Sequence, residues 1–234
     1  MKEFLIAYYL PLTYFTEILA ALTGVIFYRK YKYTNVKYFI YFLVFIAIAE
    51  LLAGYTHFIE NNGILNFLKG TIFQKNYWFC SLYWDLGSIM FYSYYFLKII
   101  KKRRFIITLK ISRYLFLIFF FTYILFNWND FFIKSFPIID ILGALIIFSC
   151  VTFYFIEILE SEVILTFYKS INFYIATTIF IWWLIITPIV FFNIYFRHVD
   201  WNFIFLKWQI YLFSNIFMYL TFTFALLWCK PQND

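Results

Sequence analysis

Residues 38–59 read YFIYFLVFIAIAELLAGYTHFI. Only Glu50 and His57 put an acidic or basic side chain that titrates below neutral pH into this apolar run. A bilayer core about 30 Å thick is crossed by roughly 20 apolar residues in a helix. The stretch is therefore predicted to span a membrane, and its acid to face protein rather than lipid. Six further stretches read the same way, near 4–28, 77–100, 111–128, 137–159, 173–196 and 203–228. Lys110 and Arg113 crowd the start of the 111–128 stretch and must snorkel toward headgroups. The runs are continuous rather than alternating, which argues against a β-barrel. The expectation is an all-α polytopic protein: a single seven-helix membrane domain over 1–234, with very little between the helices.

Composition agrees. Hydrophobic residues make up 65% and charged residues 13% of the chain, against roughly 45–50% apolar in soluble domains. The mean hydropathy is +0.81. The first apolar run is too long for a secretory h-region and lacks a small-residue cleavage site, so it is expected to remain as a helix.

Positive charge orients the bundle. With the N-terminus outside, thirteen of the 19 Lys and Arg residues fall on the inner side, at 29–37, 98–113, 169 and 230. The outer side keeps six: Lys2, Lys69, Lys75, Lys134, Arg197 and Lys207. The N-terminus is thus predicted outside and the C-terminus in the cytoplasm. The net charge of +7 follows from this bias and does not indicate nucleic acid. Lys101, Lys102, Arg103 and Arg104 are candidates for anionic-lipid contact, although a plain positive-inside loop explains them better. Tyr8, Trp78, Trp128 and Trp201 are expected at the outer interface, and Tyr28, Tyr31, Tyr114 and Trp228 at the inner one. The link 60–76 carries Ile64, Leu65, Phe67, Leu68, Ile72 and Phe73, a spacing that suits a short interfacial helix or a loop folded over the bundle.

Four acids lie inside the spans: Glu17, Glu50, Asp85 and Asp140. Facing lipid they would together cost on the order of 10 kcal/mol, so they must face the interior, pair or take up protons. His57 lies one heptad after Glu50, on the same face. On helix three, Ser81, Asp85, Ser88 and Tyr92 form one stripe. On helix seven, Lys207, Tyr211, Ser214 and Thr221 form another, with Asn215 beside them. Lys207 is the basic residue placed to pair with Asp85 or Asp140. Together these residues sketch a polar cavity that opens outward and is closed inward by aromatic and aliphatic packing. The competing reading is a set of hydrogen bonds gluing helices together, and Asp140, just after Pro137, also suits a helix N-terminus. Glu157, Glu160 and Glu162 are expected to be solvated. Trp182 and Trp183 are read as core beside Pro188, which should kink helix six, as Pro11 should helix one.

Several chemistries are disfavoured. A retinal Schiff base needs a lysine near the middle of helix seven, where Ser214-Asn215-Ile216 stands. A zinc site needs about three ligands, and the two histidines, His57 and His198, supply no such set. No Gly-x-Ser-x-Gly elbow is present. Cys80, Cys150 and Cys229 fall at three depths, too far apart to bridge, and read as buried small hydrophobes. No metal and no cofactor is expected.

Tyr9-Leu10-Pro11-Leu12, the helix end Gly24-Val25-Ile26-Phe27-Tyr28-Arg29-Lys30, Ala49-Glu50-Leu51-Leu52 and the Asn61-Asn62 loop resemble small seven-helix inner-membrane proteins of Bacteroidota. The resemblance implies a multi-pass setting in a bacterial inner membrane, and no activity. Function is expected to be that of a receptor-like or accessory subunit acting through a protein partner or as a homo-oligomer. A small transporter or proton or ion channel using Glu50, Glu17 and Asp85 is the main alternative. An intramembrane enzyme acting on lipid is the third, and a non-enzymatic role is favoured over it.

Overall fold

Every backbone N–H and C=O inside a hydrocarbon layer needs a partner within the protein, and long helices supply those partners internally. The computed structural model describes residues 2–59, 63–195 and 201–231, with side chains at 7–59, 63–162, 164–192 and 201–231. Asn61, Asn62, Arg197, His198 and Gln232 lie outside the described residues.

The described residues are almost entirely helical. The long helices are α1 (Lys2–Ile26), α2 (Val36–Ala53), α3 (77–99), α4 (Arg103–Phe126), α5 (Pro137–Leu159), α6 (Ile171–Tyr195) and α7 (Trp201–Trp228). Six of them are long and apolar enough to cross a membrane, all except α3. The chain is thus an α-helical polytopic membrane protein. Helix α3 is continuous but mixed: α-helical at Tyr77–Cys80, π-helical at Ser81–Leu86 and α-helical again at Gly87–Ile99. Helix α4 begins eight residues before the expected span, because Lys110 is exposed and Arg113 lays its guanidinium over the Tyr114 ring, so neither interrupts it.

Successive helices run antiparallel. One end of the bundle gathers Arg29, Lys30, Lys101–Arg104 and Lys230 and is called the basic end below. The other carries the link 63–76 and the 127–136 turn and is called the loop end. Packing follows the ring α1–α2–α3–α5–α6–α7, with α7 closing onto α1. Helix α4 stands outside this ring against α3 and α5, and only 17% of its apolar window is buried. The ring's perimeter exposes Phe15, Leu22, Phe45, Ile48, Leu184 and Phe213, apolar surface that lipid covers. Gly143 lets α5 approach α3 closely, since a Cβ there would meet Ile89 Cδ1 at 2.0 Å.

Helix ends leave carbonyls and N–H groups without intrahelical partners. At the basic end, Tyr31 donates to the Leu226 and Cys229 carbonyls (3.0 and 2.8 Å), and Lys30 Nζ to those of Leu226 and Leu227 (both 3.1 Å). The Tyr31 side chain is thus fully buried at this end of the bundle. Burial lowers the Lys30 ammonium and pushes the Cys229 thiol up to about 11. Glu157 and Glu160 are not simply solvated. The Glu157 carboxylate accepts from the Lys101 and Lys102 N–H groups ahead of α4, and Glu160 pairs with the Lys102 ammonium. Lys101, Lys102, Arg103 and Arg104 remain exposed.

Among its described residues, the link after α2 forms no α-helix. It makes 3-10 turns at Asn66–Leu68 and Ile72–Gln74, separated by Gly70 at φ +82°, a left-handed conformation that favours glycine. Tyr55 ties it down, donating to the Phe73 and Lys75 carbonyls at 2.7 and 2.9 Å. Phe73 packs edge-on against Trp78 and Phe132, so half-buried Trp78 belongs to this cluster while Trp128 and Trp201 stay exposed.

Candidate functional site

Two adjoining cavities occupy the loop-end half of the ring. The mouth cavity, about 180 Å³, is lined by Ser81 and Asp85 of α3, Ser135 and Asp140 around the start of α5, Trp183 of α6 and Lys207 of α7, among others. Ser135 is exposed, so this cavity reaches the protein surface. The deep cavity, about 240 Å³, is lined by Thr13 and Glu17 of α1, Glu50 of α2, Tyr83 of α3, and Asn215 and Tyr219 of α7. Both share Cys80, Trp84, Trp182 and Tyr211. Trp84 and Trp182 meet edge to face at 5.3 Å and form the partition. Trp182 is held there by its indole N–H, which donates to Asn215 Oδ1 at 2.8 Å.

The acids are held by neighbouring helices. Tyr219 donates to Glu17 Oε1 at 2.9 Å, joining α7 to α1. Tyr83 donates to Glu50 Oε2, joining α3 to α2. Ser81, Asp85 and Asp140 share the lining of the mouth cavity. Lys207 lies near Asp140, with its ammonium 5.8 Å from the Tyr211 ring centroid.

Glu50, Glu17, Asp85, Asp140, Lys207, Tyr211 and Asn215 therefore come together as cavity lining. Three candidates do not. The helix tightens into a 3-10 turn at Gly54–Phe58, so the heptad register from Glu50 is lost and His57 is exposed. The π-helical segment adds residues per turn, so the stripe from Ser81 to Asp85 does not continue straight to Ser88 and Tyr92. Both are buried below the cavities, Tyr92 against Phe42 and Phe91. On α7 the working row is Lys207, Tyr211, Asn215 and Tyr219, in steps of four. Ser214 is buried outside both linings, and Thr221 bonds its own helix at Phe217.

Tyr83, Tyr219, Trp84 and Trp182 carry more of the site than sequence reasoning gave them. Tyr219 was findable as the next step of four after Asn215. Tyr83 was not, because only the π-helical turn aims it at Glu50. Trp182 and Trp183 are buried, as core residues are, and also wall the cavities.

Below the cavities the ring is solid. Phe39, Tyr95, Phe96 and Phe222 are all at most 1% exposed. Phe39 and Phe222 meet edge to face at 4.9 Å, and Tyr95 donates to Asn172 Oδ1 at 2.5 Å. Among the described residues no three His, Cys, Asp or Glu side chains gather as a metal site requires. Cys80, Cys150 and Cys229 are free thiols.

No family model, curated protein or solved structure matches the chain.

Proposed function

We propose that the chain is a seven-helix protein of a bacterial inner membrane that binds a small ligand in an outward-facing cavity and acts through a protein partner. Helix α3 supplies the seventh crossing, and the basic end faces the cytoplasm. The observation that carries the ligand reading is the contrast along the bundle axis: four acids and a lysine around open volume at one end, an aromatic plug at the other. The concave shape, the aromatic walls and a few placed polar groups are what small-molecule sites share. The short connections between helices at the basic end leave its surface for a partner to read.

Native mass spectrometry of the protein extracted gently from its own membrane tests both halves. The expected result is a small-molecule adduct that Glu50→Gln loses, together with a stoichiometric protein partner. A chain carrying only annular lipid overturns the ligand reading, and one with ligand but no partner overturns the accessory role.

A second reading, a proton- or ion-coupled transporter, is favoured by one feature. The Asp140–Asp85 pair and the Glu50 and Glu17 carboxyls follow one another from the mouth toward the middle of α1. It requires the plug around Phe39 and Phe222 to open. Flux into vesicles that depends on Glu50 supports it, whereas vesicles that stay tight to solutes and protons leave the binding role.

A further inference from the structure

We infer that the deep cavity takes a small organic cation, a primary or quaternary ammonium compound, held between Glu17 and Glu50 against aromatic walls. The inference rests on the ligand-binding reading above and names the chemistry of its ligand. Charge is the first argument. Two carboxyls line this cavity and no described residue lining it is basic, whereas the mouth cavity sets Lys207 near Asp140. An anion in the deep cavity would face two carboxyls. A neutral apolar molecule would displace water and offer these carboxyls no donor beyond the tyrosine hydroxyls they already have, which costs free energy.

The walls are the second argument. Tyr9, Tyr83, Trp84, Trp182, Tyr211 and Tyr219 surround the carboxyls, and the faces of such rings attract ammonium groups, most strongly when water is excluded. Preorganisation is the third. The tyrosine bonds to Glu17 and Glu50 join different helices and fix the carboxyls before a ligand arrives, so ordering them is not charged to binding. Size limits the guest: 240 Å³ is below the roughly 300–1,000 Å³ of sites for drug-sized molecules.

The test uses the full chain purified in lipid nanodiscs and three probes of similar size: choline, its neutral isostere 3,3-dimethylbutanol, and a branched carboxylate. Binding is read from the fluorescence of the tryptophans, Trp84 and Trp182 among them, and from the thermal unfolding midpoint. Choline is expected to quench fluorescence and raise the midpoint, with the isostere and the carboxylate weaker by roughly ten- to a hundredfold. Glu17→Gln and Glu50→Gln should each remove that preference, while Glu160→Gln, at the far end, should keep it. Equal binding of choline and the isostere overturns the inference, as does preferred binding of the carboxylate. The probe comparison uses the unaltered chain, so it stands even if a variant fails to fold. If none of the probes binds while native mass spectrometry still finds a small-molecule adduct, the cation class is wrong and the ligand-binding reading survives.

Discussion

The two halves of the helical ring are built from the same six helices and solve opposite problems. At the basic end, aromatic side chains fill the axis. Phe39, Tyr95, Phe96 and Phe222 exclude space, and Tyr31 and Lys30 close the last carbonyls of α7. At the loop end the axis is left open, and its walls are carboxyls, tyrosine hydroxyls and indoles. In lipid the hydrophobic effect does not separate helix from helix, so association rests on close packing and interhelical hydrogen bonds. The solid half uses the first and the hollow half the second. The lesson is that solid packing and open polar volume are divided along the axis, and that substitutions in the two halves should be told apart by what they change.

Phe39→Ala should strike hardest. It removes a fully buried ring that contacts Tyr95 and Phe222, and such truncations cost about 3–5 kcal/mol. A large fall in the thermal midpoint is expected, with choline selectivity unchanged in whatever protein remains folded. Unaltered stability would mean the plug is not what holds the basic half together. Gly143→Val comes next, because its side chain must displace Ile89, already fully buried. Overpacking of this kind costs about 1–3 kcal/mol, and Ile89→Ala in the same chain should recover part of the loss. No recovery in the double variant would argue against the close approach of α3 and α5.

Within the hollow half, Tyr219→Phe leaves the Glu17 carboxyl without its α7 donor. A loss of about 1–3 kcal/mol is expected, accompanied by weakened ligand binding, which a purely structural bond would not produce. The smallest effect belongs to Lys102→Gln. Its pair with Glu160 is about half exposed on both sides, so less than about 1 kcal/mol should follow. A larger change would show that the basic run does more than carry surface charge.

Much of this was legible from the chain. Glu17, Glu50, Asp85 and Asp140 declared themselves because an acid in an apolar span has nowhere to go but inward. Lys207 and Tyr211 followed from helical spacing, but the stripe was continued to Ser214 and Thr221 where the lining steps by four to Asn215 and Tyr219. The failures on the second and third helices have another cause, a local change in helical pitch. His57 leaves the Glu50 face at a 3-10 turn, and the π-helical segment turns Tyr83 toward Glu50 while separating Ser88 and Tyr92 from Asp85. A stripe drawn at 3.6 residues per turn assumes that the pitch holds, and at these two places it does not. Both 3-10 tightening and π expansion depend on neighbouring helices, which no window of sequence contains.

By itself the sequence determined that long helices must form, roughly where they start and stop, and that four acids must be sheltered. A hydrocarbon solvent makes these demands locally: it tests length, apolarity and backbone satisfaction one segment at a time. Only the tertiary structure decided which tyrosine holds which acid, that two cavities share a tryptophan partition, and that α4 stands outside the ring. Those outcomes depend on how far each helix is rotated about its own axis. That rotation is set by packing against the other helices rather than by any one of them.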